Sequence, residues 1–371
     1  MPKVVHITSA HPATDTRIFY KECSTLAKHG YEVVLVAAGA ENRIDQGVRI
    51  SGVPKMRGRV GRMTATARRV VGAAVSEHAD LYHFHDPELL PWVFWLHHRG
   101  EKVVFDMHEN MPLAIMSKPY LNGAARYMIR FLYSLLERGF LRDIPVIFAE
   151  NSYSRYYPYV QRSEVVLNLP EVEELLQIPG EKKERFTLGY MGRVAIQRGS
   201  MAMLQVVQRL QRRGLRVAFD CVGPVEKKHL SELQRFAERA GVQHVTLHGY
   251  RSPVEGWKIM ARCHAGLALL QDVPNYRDSY PTKLFEYMAL GLPVITSNFP
   301  LYRDIVEQRG CGLCVPPDDI DAIAEAIVWL YEHPAEAESM GERGRAAARE
   351  EFNWQTEAAK LLAFYARILT S

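Results

Sequence analysis

The sequence predicts an α/β protein built from two doubly wound, Rossmann-like domains, on three observations. Short β-branched runs alternate with longer stretches whose apolar residues recur at three and four, the pattern of a parallel sheet covered by helices on both faces. The alternation pauses once, near the middle of the chain, and then restarts. The 371 residues suffice for two domains of roughly 150 residues each.

In chain order, strands are expected at 4–9, 32–37, 48–53, 81–84, 103–106 and 146–149, with helices at 15–29, 88–99 and 126–140. Residues 171–185 are charged, carry Pro and Gly and lack a strand pattern, which marks a linker. Beyond it, strands at 186–191, 216–222, 245–247, 266–270 and 293–296 alternate with helices at 201–213, 228–240, 253–263 and 283–290. The stretch 354–369 is a long amphipathic helix with no strand after it, so it needs a surface to cover. The expected organisation is an N-terminal domain 1–170, the linker 171–185, a C-terminal domain 186–352 and a closing helix 353–371 that packs back on the N-terminal domain. Open sheets of this kind bind ligands beyond the carboxyl ends of their strands, so two of them facing each other would enclose a central cleft.

Composition excludes several classes. With 47% apolar and 24% charged residues, the chain is neither disordered, collagenous nor a disulfide scaffold. Mean hydropathy is −0.17, and no apolar run approaches the ~18 residues of a spanning helix. The N-terminal apolar run is too short for a signal sequence. Five scattered cysteines fit a reducing compartment, so a cytoplasmic location is expected. A net charge of +4 is too mild for a nucleic-acid partner. The distribution of charge is more telling. Lys55, Arg57, Arg59, Arg62, Arg68 and Arg69 fall between positions 55 and 75 without an acid, and the helix 126–140 is rich in aromatics. Basic amphipathic faces lie on anionic membranes, so peripheral contact with the inner face of a membrane is the second expectation. The alternative is one solvated face plus one core helix.

No Gly-x-Gly-x-x-Gly follows a strand, and no glycine-rich loop ends in Gly-Lys-Ser/Thr, which argues against a nicotinamide dehydrogenase and a P-loop ATPase. After Pro281 a helix opens with Thr282 and Lys283, where free N–H groups and a cation converge on an anion site. Glu286, one turn on, can accept hydrogen bonds from sugar hydroxyls. Upstream, the strand 186–191 runs into Gly192-Arg193 and then Arg198-Gly199, a strand-to-helix loop whose two guanidiniums suit a diphosphate. In the N-terminal half, the strand 103–106 is followed by Met107 and His108, and His83, His85 and Asp86 cluster at the end of the strand 81–84. As metal ligands these would need further partners in space. His85 and Asp86 read instead as cleft lining, and no metal site is expected. Cys311-Gly-Leu-Cys314 has no second pair and reads as buried turn residues.

In order and spacing these pieces resemble the retaining nucleotide-sugar glycosyltransferases of family 4, which have the GT-B fold. That family carries Gly-Arg-x-x-x-x-Lys-Gly and Glu-x7-Glu followed by Gly-x-Pro-Val. Here stand Gly192-Arg193…Arg198-Gly199 and Asp278-x7-Glu286…Gly291-Leu292-Pro293-Val294, flanked by Asp15-Thr-Arg17-Ile-Phe19-Tyr-Lys-Glu22, Asn168-Leu-Pro and Phe352-Asn353-Trp354. The likeness covers essentially the whole chain. Arg198 replaces the usual Lys, with a different donor geometry, and Asp278 the usual Glu. The resemblance implies that Arg193 and Arg198 bind the diphosphate with Thr282 and Lys283 beside them, that Glu286 holds the ribose, and that Asp278 meets the donor sugar. It implies His108 at the reacting centre and Asp15, Arg17 and His85 on the acceptor side. The implied reaction is a retaining, metal-independent hexosyl transfer without cofactor. The donor would be a UDP-sugar, or else a GDP-sugar, and the acceptor a carbohydrate or lipid-linked saccharide in polysaccharide or glycolipid synthesis. A nucleotide-sugar epimerase of similar fold and a non-catalytic sugar-nucleotide binding protein are the alternatives.

Overall fold

Strands that are apolar on both faces must be covered on both faces, and the chain folds accordingly. A computed structural model describes residues 1–116 and 122–370. The chain divides into two units, one formed by Met1–Asn168 with Trp354–Ser371 and the other by Leu169–Asn353.

The first unit holds strands β1 (Lys3–Thr8), β2 (Glu32–Ala38), β3 (Arg43–Asp45), β4 (Val48–Val53), β5 (Leu81–Phe84), β6 (Val103–Met107), β7 (Val146–Phe148) and β8 (Ser163–Val165). They form one sheet in the order β3-β4-β2-β1-β5-β6-β7-β8, parallel throughout except for the β3–β4 pair. The two-residue period of a strand sorts its side chains cleanly. Val5, Ile7, Val34, Val36, Phe84 and Phe105 enter one core, and Val4, Val33, Leu35, Leu81 and Val104 the other. This second face is covered by the helical segments Thr16–Cys23 and Ser24–Lys28 and by the C-terminal helix Trp354–Thr370. That helix buries Trp354, Leu361, Phe364 and Tyr365. The Trp354 indole donates to Thr25 Oγ1 at 2.9 Å, and Glu357 accepts the Leu167 N–H at 2.7 Å.

The second unit holds β9 (Phe186–Met191), β10 (Val217–Val222), β11 (Val245–Gly249), β12 (Ala265–Ala268), β13 (Val294–Ser297) and β14 (Gly312–Val315), in the order β11-β10-β9-β12-β13-β14 and wholly parallel. In each unit the strand order reverses next to the first strand, between β1 and β5 and between β9 and β12. The crevice at such a reversal is where open α/β sheets bind ligands.

Three differences from the expected elements have physical causes. The stretch 171–185, read as a linker, is counted with the second unit and contains the helix Val172–Leu176. Val172 and Leu175, three apart, give that turn a buried face within an otherwise acidic run. The short strands β3, β8 and β14 carry too few alternating apolar residues to stand out in the sequence. Cys314 lies in β14 rather than in a turn, and burial raises the thiols of Cys311 and Cys314 to about 11 and about 12. In the basic stretch, the helix Ala67–Val75 buries Val70 and Val71 and exposes Arg68 and Arg69. The side chain of Arg59 lies outside the described residues.

Leu361→Ala should destabilise the protein by about 2–5 kcal/mol, the usual cost of emptying a filled core site, since Leu361 is fully buried between the helix Trp354–Thr370 and the first sheet. Urea unfolding followed by tryptophan fluorescence reads this directly. An unchanged midpoint would detach the closing helix from that core.

Candidate functional site

In the second unit the site begins where β9 ends. Gly192 (φ 137°) and Gly223 (φ 143°) follow β9 and β10 at a close crossing, where a Cβ on Gly223 would stand 1.9 Å from the Gly192 carbonyl oxygen. The Gly192 N–H donates to Val222 O and the Val194 N–H to Pro224 O, both at 2.9 Å. The chain then turns through Ile196–Arg198 to Gly199 (φ 80°), where a Cβ would meet Leu269 O at 2.2 Å, and enters the helix Ser200–Arg212. Only glycine fits at these contacts.

Lys283 lies in the first turn of the helix Thr282–Ala289 and is buried, with its Nζ 5.3 Å from the centre of the Tyr190 ring. Its Cε would touch a Cβ on Gly192 at 3.1 Å. Burial pushes the Lys283 ammonium down to about 7, the Arg198 charge pushes the same way, and Glu286 opposes them. Burial raises the Tyr190 phenol, while Arg198 draws it back, and its hydroxyl donates to Arg193 O at 2.7 Å. Arg198, Lys283 and Glu286 therefore act on one another around Tyr190 and the glycine loop. A buried cation beside a second cation and a helix N-terminus, opposed by Glu286, is an environment that favours an anion. Glu286 accepts the Trp257 indole N–H at 3.1 Å. Arg193 is exposed on the same loop and Thr282 is half-buried. Asp278 is half-buried at the end of the helical turn Pro274–Arg277, whose Arg277 pairs with Asp272.

In the first unit the ends of β1, β5 and β6 meet. His108 Nε2 lies 2.7 Å from Asp106 Oδ2, and the His108 side chain is 17% exposed. Asp106 also accepts Arg17 Nε at 2.9 Å and Nη2 at 2.8 Å, while Arg17 Nη1 donates to Val166 O at 2.8 Å. Against its burial, Arg17 and His108 hold Asp106 well below the usual carboxylate range. Arg17, expected on the acceptor side, is thus buried with its guanidinium spent on the fold, and it braces Asp106. His85 and Asp86, expected as cleft lining, are each 1% exposed and lie beneath the surface. Burial lowers the His85 imidazole to about 4, and its Nδ1 is 3.3 Å from Asp106. Asp86 clamps the turn after β1, accepting Thr8 Oγ1 at 2.8 Å and the Ser9 N–H at 2.6 Å. Asp15 caps the helical segment Thr16–Cys23 through the Arg17 and Ile18 N–H groups, and its Oδ2 is 3.3 Å from His11 Nδ1. The His11 ring lies 5.1 Å from that of His108.

Sequence reading passed over His6, His11, Asp106, Trp257 and Tyr365. A signal existed for His6 and Asp106, since a polar residue inside an apolar parallel strand must find a partner. The alternative of a core helix over 126–140 does not hold. The helix Gly123–Leu141 exposes Tyr127, Met128, Phe131, Leu132, Leu135 and Leu136, with Phe131 at 69%. Its other face packs Tyr133, Phe140 and Leu141 on the core. Among the described residues no helix is long and apolar enough to cross a membrane.

The family model described as "Glycosyltransferase Family 4" matches residues 16–156, and that described as "Glycosyl transferases group 1" matches residues 171–347. The chain is similar to the MMP alpha-(1->4)-mannosyltransferase of Mycolicibacterium hassiacum, at 30% identity over 26% of this chain and 24% of the relative. It is similar to the capsular polysaccharide biosynthesis glycosyltransferase CapM of Staphylococcus aureus, at 25% identity over 46% of this chain and 43% of the relative. In both cases the match spans less than half of the relative's length. The fold of sucrose-phosphate synthase from Thermosynechococcus elongatus superposes over 100% of both chains, with a TM-score of 0.75 and 18% identity. With the two family models matched in chain order, one on each doubly wound unit, the chain belongs to the family 4 glycosyltransferases of the GT-B fold.

Proposed function

We propose that the protein transfers a sugar, with retention of configuration, from a nucleoside-diphosphate sugar to a saccharide acceptor. The observation that carries this reading is Lys283, a buried ammonium at a helix start, pressed toward neutrality beside Arg198 and one turn from Glu286. Arg193, Arg198, Lys283 and the N–H groups at the start of the helix Thr282–Ala289 receive the departing diphosphate. Preorganised charge of this kind stabilises a leaving group without reorganisation, and it makes added magnesium or manganese unnecessary. Glu286 accepts from the ribose hydroxyls, and Asp278 meets the donor sugar. UDP-sugars are the first donors to test, with GDP-sugars next. In the first unit, the Asp106 carboxylate accepts a hydrogen bond from His108 Nε2–H, which fixes the ring and leaves Nδ1 to face a substrate hydroxyl. The mannosyltransferase and capsular polysaccharide relatives support a saccharide acceptor in polysaccharide or glycolipid assembly. A lipid-linked acceptor agrees with the exposed apolar face of the helix Gly123–Leu141.

Glu286→Ala should weaken binding of the cognate donor by about 10- to 150-fold, the equivalent of the roughly 1.5–3 kcal/mol of a charge-assisted hydrogen bond, and nearly abolish transfer. Isothermal titration and a turnover assay measure the two, and unchanged affinity would remove Glu286 from the donor site.

Donor binding should also be linked to pH through Lys283. A bound diphosphate favours the charged ammonium and raises its pKa, so binding takes up a proton once the pH exceeds about 7. Affinity for a nucleoside diphosphate should therefore fall between pH 7 and 9, by no more than about tenfold per unit for one proton. The parent nucleoside should show no such slope. Lys283→Arg, charged throughout, should flatten the profile, and a slope that persists in that variant would assign the proton elsewhere.

The first unit should bind anionic vesicles. Each Lys or Arg near such a surface contributes about 1 kcal/mol, and the exposed aromatics of the helix Gly123–Leu141 add apolar contact. Co-sedimentation with phosphatidylglycerol vesicles should fall with salt and with Phe131→Asp/Leu135→Asp, and also with Arg57→Glu/Arg68→Glu/Arg69→Glu. Equal binding by all three proteins would mean a different contact surface.

A further inference from the structure

Beneath the acceptor-side surface, four side chains that the transfer reaction does not use converge on one point. The register of β1 on β5 sets His6 beside His83, and the strand period puts His85 on the same face. Glu22 comes from the helical segment Thr16–Cys23 that covers that face. The ring centres are 4.5 Å apart for His6–His83 and for His83–His85, and 5.1 Å for His6–His85. One nitrogen from each ring and one Glu22 oxygen all lie within 4.8 Å of one another, and all four residues are buried.

We propose that this cluster is a closed structural site for one divalent zinc-type ion, bound by His6, His83, His85 and Glu22. Three imidazoles and a carboxylate are the donor set of tetrahedral zinc, and nitrogen ligands exclude magnesium or calcium as the natural occupant. A second, independent observation is the set of orphaned atoms. Among the described residues, both Glu22 carboxylate oxygens and His83 Nε2 are buried without a hydrogen-bond partner. Glu22 Oε1 is 3.0 Å from Arg17 Nε, but the single hydrogen of that nitrogen is aimed at Asp106, 2.9 Å away. A buried carboxylate without a donor is costly, and such groups in a native core point to an ion or water.

The remaining ring nitrogens fit the same assignment. With His6 ligating through Nδ1 and His83 and His85 through Nε2, every other ring nitrogen already has a partner. His85 Nδ1 faces Asp106 at 3.3 Å, His6 Nε2 faces the Tyr365 hydroxyl at 3.2 Å, and His83 Nδ1 faces the same hydroxyl at 2.5 Å. Outer partners of this kind fix the orientation of metal-bound histidines. The metal-free alternative is a hydrogen-bonded chain through Tyr365, His6 and His85, with Glu22 kept protonated by burial and by the Asp106 charge beside it, and the metal content of the protein decides between the two. His6 Nδ1 and His85 Nε2 are 2.9 Å apart, whereas ligands on a tetrahedral zinc stand about 3.3 Å apart, so the rings separate by a few tenths of an ångström on loading. The neighbouring group His85, Asp106 and His108 is a poorer cage, because Arg17 occupies both Asp106 oxygens. Through His85 and Asp106 the ion makes the cluster a positioning device for His108.

The inference does not rest on the transfer reaction, and its test reads metal rather than turnover. Untagged protein purified without chelator should carry close to one equivalent of zinc per chain by elemental analysis. Protein from zinc-depleted medium should gain thermal stability on adding zinc. With cobalt it should show the visible absorption of a four-coordinate ion. Glu22→Gln and His83→Gln should lose most of that metal and of the cobalt absorption. Wild-type occupancy decides the matter should either variant fail to fold. Wild type with only a trace of zinc and no stabilisation by it would overturn the site, as would undiminished zinc in both variants. A water-filled polar core would then remain.

Discussion

The contact on which the first unit depends is the buried pairing of Arg17 with Asp106. A carboxylate in the middle of a parallel sheet is tolerable only when its charge is met at close range. Arg17 meets it with two hydrogen bonds and uses its third group to hold the Val166 carbonyl at 2.8 Å. One guanidinium thus ties a helix to β6 and to the chain just beyond β8. His85 and His108 then orient on the same carboxylate, so the partly exposed His108 inherits its position from a pair that is itself buried. Removing either partner would leave the other charged and buried, which is why such pairs are costly to break even where they add little net stability.

The second unit solves the converse problem. There the buried charge is positive, met only in part by Glu286, and lies in the first turn of a helix rather than within the sheet. Lys283 is held over the Tyr190 ring by a loop whose glycines admit no side chain, and Arg198 adds to the imbalance instead of relieving it. The same logic explains why the glycines are spaced as they are. A Cβ at Gly192 would push on the Lys283 chain, and one at Gly199 would strike the backbone of the residue that follows β12.

Much of this architecture was legible from patterns local in sequence. Every strand of the two sheets except β3, β8 and β14 announced itself as an apolar run, and the glycine–arginine loop and the Pro281 helix start were visible as motifs. The buried polar network was not legible, because its members are distant from one another. Arg17 and Asp106 are 89 positions apart, and His83 and Tyr365 are 282 apart. Periodicity puts a residue on a face but does not say which other polar residue shares it. The burial of Arg17 and His85 was not legible for that reason, since a motif supplies a residue's identity without its depth. The further partners that His83 and His85 would need as metal ligands, His6 and Glu22, come into view only in the fold.

The first unit is built from two stretches of chain, and its second core is completed by Trp354, Leu361, Phe364 and Tyr365. A ribosome delivers these residues only after the whole of the second unit. The second unit, by contrast, is a single uninterrupted stretch, from Leu169 to Asn353. During synthesis the sheet of the first unit therefore emerges before the second unit but waits, with one apolar face uncovered, until the second unit has been made in full. The order of emergence and the order of completion of the two units are opposite, and the unit made earlier is the one left longer with an uncovered apolar face open to chaperones and to aggregation.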